Sequence, residues 1–389
     1  MTEPKIEQYT YLSDFEIFYP KHRFNQSDLL KWTSNCHKTA EKLNPKTTYN
    51  QDSLITLEKL FDRYAVKENQ ISQRYLECAD ASLTDLTKAE VYKVDEHQQT
   101  GLDIYGRTLF FSQRADEVFH KAYSQKQIQP DHLIHVTCTG YISPSAAQKI
   151  VTSPNWNKST AVTHAYHMGC YASMPAIRIA QGLVAENRTK SNNYQVDIIH
   201  TEMCGLHMNP LAQTPEQTIV QTLFADGHIK YSASHQPKKD RRHFKVLALH
   251  EKIILDSTQD MSWIPTSWGM QMNLSREVPL KIRTELKPFL IELLNLAKMN
   301  MSDLSAAEFA IHPGGPKIID TVKEILELPE SKIAHSKKVL LERGNMSSAT
   351  LPHVWEAMLK DESIKSGQKI ISFAFGPGLT VFGCVLEVC

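Results

Sequence analysis

An α/β fold is predicted for this chain of 389 residues from three observations. Helical apolar patterns alternate with short apolar runs, as they do when helices and strands are laid down in turn. Hydrophobic residues make up 41% of the sequence, which at this length fills one large two-lobed unit or two domains. No Ser/Gly-rich linker separates the two ends.

In order, the periodicity predicts helices over Gln26 to Leu43, Leu54 to Glu68 and Leu109 to Lys126, then a strand from His132 to Cys138, with Val151 and the Pro154/Asn155 turn in the loops that follow. A helix from Met174 to Glu186 is next, then a strand from Val196 to Cys204 that runs into the Pro210 loop. The later part reads as a strand from Phe244 to Leu255, a long helix from Pro279 to Asn300, a short strand before His312 and a helix from Lys317 to Leu326. It closes on a strand pair, Ile370 to Phe375 and Leu379 to Val388. Both halves share this rhythm without visible sequence repetition. The best linker is the polar stretch Ser232 to Asp240, so the expected halves are 1–235 and 236–389.

Composition narrows the partners. Forty-three basic and forty-three acidic residues cancel, so bulk charge argues for neither nucleic acid nor an anionic membrane. No run approaches a membrane span, and the polar start Met1 to Gln8 lacks the apolar core of a signal peptide, so a cytoplasmic protein is expected. The seven cysteines, at 36, 78, 138, 170, 204, 384 and 389, are scattered and lack C-x-x-C spacing, which argues against a disulfide framework and a zinc site. Seventeen histidines are many, but the pairs His132/His135, His164/His167 and His200/His207 show no matching carboxylate or cysteine pattern, so no metal is expected.

Chemistry is expected at Cys170, set between Gly169 and a small-residue run that reads as a first helical turn. A helix N-terminus favours an anion, so a cysteine there can be held as the nucleophilic thiolate. A buried structural cysteine is the competing reading. Two downstream elements supply the partners a nucleophile needs. His312 ends a short apolar run before Pro313-Gly314-Gly315-Pro316, and Asn345 follows a glycine turn at the start of a helix running towards Met358. Asparagine is also a good N-cap, and each residue alone reads as readily as part of a turn.

Together the segments His312 to Pro316, Gly344 to Ala349 and Phe375 to Thr380 resemble the HPGGP, GNMSSA and GFGPGLT motifs of the chalcone and stilbene synthases, the type III polyketide synthases. Ala374 stands where that family usually has glycine. Gln221 to Gly227 is similar to its QALFGDG, and the resemblance runs from about Arg63 to the C-terminus. It implies the thiolase fold, two duplicated βαβ-rich halves in a five-layered α/β/α/β/α sandwich, with Cys170 from the first half meeting His312 and Asn345 from the second.

The implied activity is acyl transfer with Claisen condensation. Cys170 takes an acyl chain from a thioester, and His312 with Asn345 polarises a malonyl or 3-oxoacyl thioester whose enolate carbon attacks that chain. An alkylpyrone or related polyketide ring is the expected product. The alternative is a carrier-protein-dependent enzyme similar to 3-oxoacyl synthase III, joining two acyl chains; a non-catalytic partner subunit is a third reading, disfavoured by the presence of Cys170.

Resemblance also implies pocket residues: Phe224 as a gate, Met272 at the family's second gate position, Leu206 where chalcone synthases carry threonine, and Gly314, Gly376, Pro377 and Gly378 of the motifs. A core aromatic is as good a reading of Phe224. Lys59, Arg63 and Lys67, spaced by four, are expected on one helix face where the family grips the phosphates of CoA; the rival reading is a solvated charged face. The implied substrates are CoA or phosphopantetheine thioesters, delivered as acyl-CoA or by an acyl carrier protein, with no other cofactor. A homodimer is expected, although Ser143 stands before Pro144 in place of the methionine that reaches into the partner subunit in plant enzymes.

Overall fold

The computed structural model of the chain describes residues 9–46, 50–124, 128–191 and 193–389. The start Met1 to Gln8, and Lys126 at the expected end of the third helix, lie outside the described residues.

The first half contains β1 (Thr10–Phe18), β2 (His22–Asn25), α1 (Gln26–Leu43), α2 (Gln51–Tyr64), β3 (Gln73–Leu76), α3 (Ile104–Ala122), β4 (His132–Thr137), α4 (Ala146–Val151), β5 (Ala161–Tyr166), α5 (Ser173–Asn187), β6 (Gln195–Met203), α6 (Pro215–Leu223) and β7 (Asp226–Ser234). The second contains β8 (Phe244–Ile253), β9 (Met261–Pro265), β10 (Met270–Leu274), α7 (Val278–Leu296), β11 (Glu308–Ile311), α8 (Pro316–Leu326), α9 (Ala334–Arg343), α10 (Thr350–Lys360), β12 (Lys369–Gly376) and β13 (Thr380–Val388).

Nine strands form one sheet in the order β11-β12-β13-β8-β1-β7-β6-β4-β5, with β2/β3 and β9/β10 as separate two-stranded ribbons. Duplication is visible in that order. In the first half the main strands lie as third, second, fourth, fifth, first; in the second half the same succession recurs without a third strand. Strand directions repeat as well: β4 runs parallel to β6 as β11 does to β12, and β6/β7 is antiparallel like β12/β13. The halves join where β1 pairs with β8, Thr10 opposite Val246.

Side-chain alternation separates the layers, because successive residues of a strand face opposite ways. Ile134 and Val136 of β4, Val196 and Ile198 of β6, and Phe382, Cys384 and Leu386 of β13 pack with Met174, Ile177, Val354 and Trp355 of α5 and α10 in a central core. On the outer face of the first half, Leu133 and Ile199 meet α1, α3 and α4. On that of the second, Phe309, Phe373 and Val385 meet α7 and α8. The result is the five-layered sandwich of the thiolase fold.

Several elements differ from the sequence reading. Helix α3 begins earlier than Leu109 because the Asp103 side chain accepts from Gly106 N at 2.8 Å and caps it there. Val151 closes α4, whose Ser145 and Gln148 form a capping box, and is not in a loop. The first residues of the expected linker, Ser232 to Ser234, are buried in β7. Polar side chains on one face of that strand leave it without an apolar period, so the sequence reading places no strand there. Each has a partner distant in sequence: Asp226 accepts from Glu77 N and Gly205 N, His228 Nε2 meets Glu77, Lys230 meets Glu16 and Ser232 donates to Asp197.

Candidate active site

Cys170 follows β5 through a tight connection in which His167 and Gly169 take positive φ of 63° and 76°. It sits in the 3-10 turn Gly169–Tyr171 at the head of α5. The β12–β13 turn is seated on this turn. A Cβ on Gly169 would lie 2.7 Å from Pro377 Cδ, and one on Gly376 would lie 2.1 Å from Tyr171 Cδ1, so glycine is required at both places. Gly376 and Pro377 thus bear on the backbone that carries the sulfur, while Gly378, at a φ of 117°, faces Thr380 and turns the chain into β13.

A second 3-10 turn, Ser347–Ala349, heads α10 and meets the first across the central layer. Asn345 leads into it. Its main chain forms a parallel bridge with Phe224, donating to Leu223 O at 3.0 Å and accepting from Ala225 N at 2.8 Å. Its side-chain Oδ1 accepts from Ser347 N at 2.9 Å and Thr350 Oγ1 at 3.3 Å, which leaves Nδ2 directed at Gly314 O at 3.4 Å. Asn345 therefore organises the turn before α10 and also presents its amide N–H groups beside the Gly314 loop.

Ser347 Oγ lies 3.8 Å from Cys170 Sγ. Burial pushes the Cys170 thiol up to about 12; hydrogen bonding from Ser347 and Asn345 works against this, and the Glu202 charge adds to it. Burial of the sulfur thus outweighs the helix terminus and favours the thiol. His312 shows the mirror effect: burial lowers its imidazole to about 3. Its main-chain N–H is fixed to Phe373 O at 2.8 Å, its ring is 1% exposed, and neither Nδ1 nor Nε2 has a partner among the described residues. A Cβ on Gly314 would stand 3.5 Å from His312 Cδ2, so Gly314 links the ring to Asn345. Cys170, Asn345 and His312 are all buried, with the half-buried Gly314 between the Asn345 amide and the His312 ring.

Four neighbours escaped the sequence reading. The Glu202 carboxylate accepts from Cys138 N at 3.1 Å, from Thr139 Oγ1 at 2.9 Å and from Ser348 Oγ, and burial raises its pKa. Cys138 Sγ lies 3.0 Å from Ser347 Oγ, so one serine hydroxyl stands between two thiols. A carboxylate at the end of the apolar run Val196 to Cys204 was the available signal for Glu202, since a buried charge needs a reason; Ser347 and Ser348 lay inside a motif already recognised.

Phe224 lines a cavity of about 40 Å³ with Arg74, Leu76, Cys204, His207 and Trp263 among its neighbours. Leu206 does not line it: fully buried, its side chain packs in the core beneath α1 and α3, and the adjacent His207 faces the cavity instead. Met272 packs into the core around α7, while Trp263, paired opposite it in the β9–β10 hairpin, reaches the cavity. Lys59 and Arg63 are exposed on α2, but that helix ends at Tyr64, so Lys67 falls outside the expected face and its Nζ turns back to Phe61 O at 3.0 Å.

Among the described residues no group of three or more His, Cys, Asp or Glu side chains is arranged to hold a metal, and no helix is long and apolar enough to cross a membrane.

Known proteins agree with this architecture. Residues 247–389 match the family described as "Chalcone and stilbene synthases, C-terminal domain". "Probable polyketide synthase 1" of Dictyostelium discoideum is 27% identical over 378 residues; the match takes in 95% of this chain but 11% of that much longer protein. Among solved structures, PKS-I from the brown alga Ectocarpus siliculosus superposes with a TM-score of 0.81 at 21% identity, covering 98% of this chain and 100% of that one. The C-terminal type III polyketide synthase domain of Steely1, a type I/III hybrid from Dictyostelium, gives 0.79 at 22% identity over 97% of this chain and 99% of its own. For 1,3,6,8-tetrahydroxynaphthalene synthase from Streptomyces coelicolor the TM-score is 0.77 at 18% identity, with 97% and 99% covered. Residues 247–389 thus match a chalcone and stilbene synthase C-terminal domain, and the chain as a whole shares the fold of the solved type III polyketide synthases.

Proposed function

We propose that the protein is an acyltransferase that forms carbon–carbon bonds by Claisen condensation of acyl thioesters, with Cys170 as nucleophile and His312 and Asn345 as hydrogen-bond donors to the developing enolate. The observation that carries this reading is the pair of unpartnered, buried ring nitrogens of His312 across the Gly314 loop from the Asn345 amide, which in turn hydrogen-bonds towards the Cys170 sulfur. A donor left unsatisfied in the empty protein is what a transiently charged substrate oxygen requires.

Burial favours the neutral form of both Cys170 and His312. Proton transfer from the thiol to the imidazole makes two charges that compensate one another where either alone is disfavoured. The thiolate attacks the thioester carbonyl, the carrier thiolate leaves, and His312 returns the proton to it. His312 is then neutral again and has an N–H to give. A malonyl thioester loses carbon dioxide, and the enolate oxygen accepts from His312 and Asn345 Nδ2. The enolate carbon attacks acyl-Cys170, expelling the sulfur and leaving a 3-oxo thioester. Loss of one such donor costs about 100- to 1,000-fold in rate.

Product leaves as an alkylpyrone or related ring; CoA or phosphopantetheine thioesters are the only organic partners, with no separate cofactor. The exposed Lys59 and Arg63 of α2 support docking of an anionic carrier, whether CoA or an acyl carrier protein. A homodimer in the cytoplasm is proposed as well, supported by the half-exposed edge strand β5 and by seven cysteines that are all free. The halves divide at 235/236, in the connection between β7 and β8.

Incubation with labelled malonyl-CoA and either acyl-CoA or acyl-carrier starters, followed by mass spectrometry of products, tests the reading. Wild type is expected to give a ring-closed polyketide and Cys170→Ala none; product from the variant at the wild-type rate would remove Cys170 from the chemistry. Turnover with carrier-bound starters alone, giving a linear 3-oxo chain, would favour the carrier-dependent alternative.

A further inference from the structure

A carboxylate, a thiol and a hydroxyl are buried in a row that ends on the Cys170 sulfur. Glu202 is fully buried near the end of β6. Its carboxylate accepts from Cys138 N–H at 3.1 Å, from the Thr139 hydroxyl at 2.9 Å, from the Ser348 hydroxyl and from the Cys138 thiol, whose Sγ lies 3.5 Å from Oε2. The Cys138 proton is thus turned towards Glu202, which leaves its sulfur lone pairs to accept from the other side. Main-chain contacts fix that thiol in place, since Cys138 O accepts from Trp263 Nε1 at 2.6 Å and from the Tyr141 hydroxyl at 2.8 Å.

On that other side stands Ser347, its Oγ 3.0 Å from Cys138 Sγ and 3.8 Å from Cys170 Sγ. A hydroxyl has one proton, so it donates to one sulfur at a time. While Cys170 is a thiol, its S–H donates to the Ser347 oxygen and the hydroxyl proton rests on Cys138. An anionic Cys170 sulfur is the stronger acceptor, and rotation about the Cβ–Oγ bond turns the same proton to it. The backbone holds the hydroxyl at this fork. Ser347 takes the left-handed φ of 48°, kept there by its N–H on Asn345 Oδ1 at 2.9 Å and by the Thr350 hydroxyl on its carbonyl at 2.9 Å.

The geometry points to Ser347 as a further catalytic residue, whose hydroxyl donates to the Cys170 sulfur whenever that sulfur is negative, with Cys138 and Glu202 as positioning residues that draw the proton away in between. The inference rests on the reading of Cys170 as the nucleophile. In that reading the sulfur is negative twice, when it attacks the thioester and when the enolate carbon expels it. The Ser347 O–H bond stays intact at both moments and only its acceptor changes.

The test alkylates the full chain with iodoacetamide at neutral pH and locates the adduct by peptide mass, so that the rate at Cys170 reports its thiolate fraction. Ser347→Gly removes the hydroxyl and suits the left-handed backbone; it is expected to react about 10-fold more slowly than wild type, the factor of one hydrogen bond to a charged group. Cys138→Ala takes away the competing acceptor and is expected to react about 2- to 10-fold faster. The opposite signs set this role apart from a loosened turn, which would move both variants the same way. A wild-type or faster rate in Ser347→Gly would overturn the proposal, and so would a wild-type or slower rate in Cys138→Ala. Should Ser347→Gly fail to fold, the gain or its absence in Cys138→Ala still decides. The expected order of rates, with no thioester able to acylate Cys170, would support the hydroxyl and remove the Claisen reading.

Discussion

His312 constrains the chemistry more than any other residue. Its two free ring nitrogens and its low pKa make it a neutral donor throughout the physiological range. Replacing it by alanine is expected to lower condensation by about 100- to 1,000-fold, while a tightly bound thioester still occupies the pocket. Decarboxylation and condensation rates measured separately in His312→Ala check this, and rates within a fewfold of wild type would contradict it. At this scale the sequence exposed the three residues embedded in recognisable motifs. It hid those that packing brings to the centre: Cys138 read as the last residue of a strand and Glu202 as one position of the strand from Val196 to Cys204. Leu206 and His207 were exchanged because one step along the chain decides which side chain faces the core and which the cavity.

At the scale of elements, the β12–β13 turn acts as a fitted cover on the turn that carries Cys170. Gly376→Ala would drive a methyl group into the Tyr171 ring, where its ideal position is 2.1 Å from Cδ1. The expected cost is about 1–3 kcal/mol in stability, with slower acylation because the ring can yield only by moving the Cys170 turn. Thermal unfolding and acylation rates would show this together; a variant with wild-type values in both would mean that the two turns are not in register. Elements with a plain apolar period were legible, and α1 was bounded correctly at both ends. Strand β7 was not. Its buried polar face, with Asp226, His228, Lys230 and Ser232, has the composition of a loop, and only partners distant in sequence make it a strand. Helix α2 was placed too far along the chain, starting and ending later than Gln51–Tyr64, so a basic trio expected on one face was reduced to Lys59 and Arg63.

The molecule as a whole buries an unusual number of neutral histidines. His37 is lowered to about 4, and His135, His207, His312 and His353 to about 3, each chiefly by burial. Below the ordinary value of 6.5 the unfolded chain binds protons at these sites that the folded chain does not. Stability is therefore complete above that pH and lost as pH falls through the window towards 3, each site contributing up to about 1.4 kcal/mol per pH unit. Asp226, raised to about 7 by burial, acts in the opposite sense, as do the buried Asp197 and Glu202, while His200, lowered by burial as well, adds to the histidines. A melting temperature that is level above pH 7 and declines below 6.5 is expected; one that rises on acidification would contradict the assignment of neutral buried imidazoles. Duplication too belongs to this scale. It left no trace in residue identities, since each half needs only similar patterns of burial, and it became visible when strand order and direction were compared.

Whether Cys170 becomes S-acylated decides the account most directly. Wild-type protein mixed with an acyl-CoA and quenched before condensation is expected to gain the mass of one acyl group, located by peptide mapping on Cys170 and absent from Cys170→Ala. An acyl group found on Cys138 or elsewhere, or no adduct with any thioester while product still forms, would contradict it.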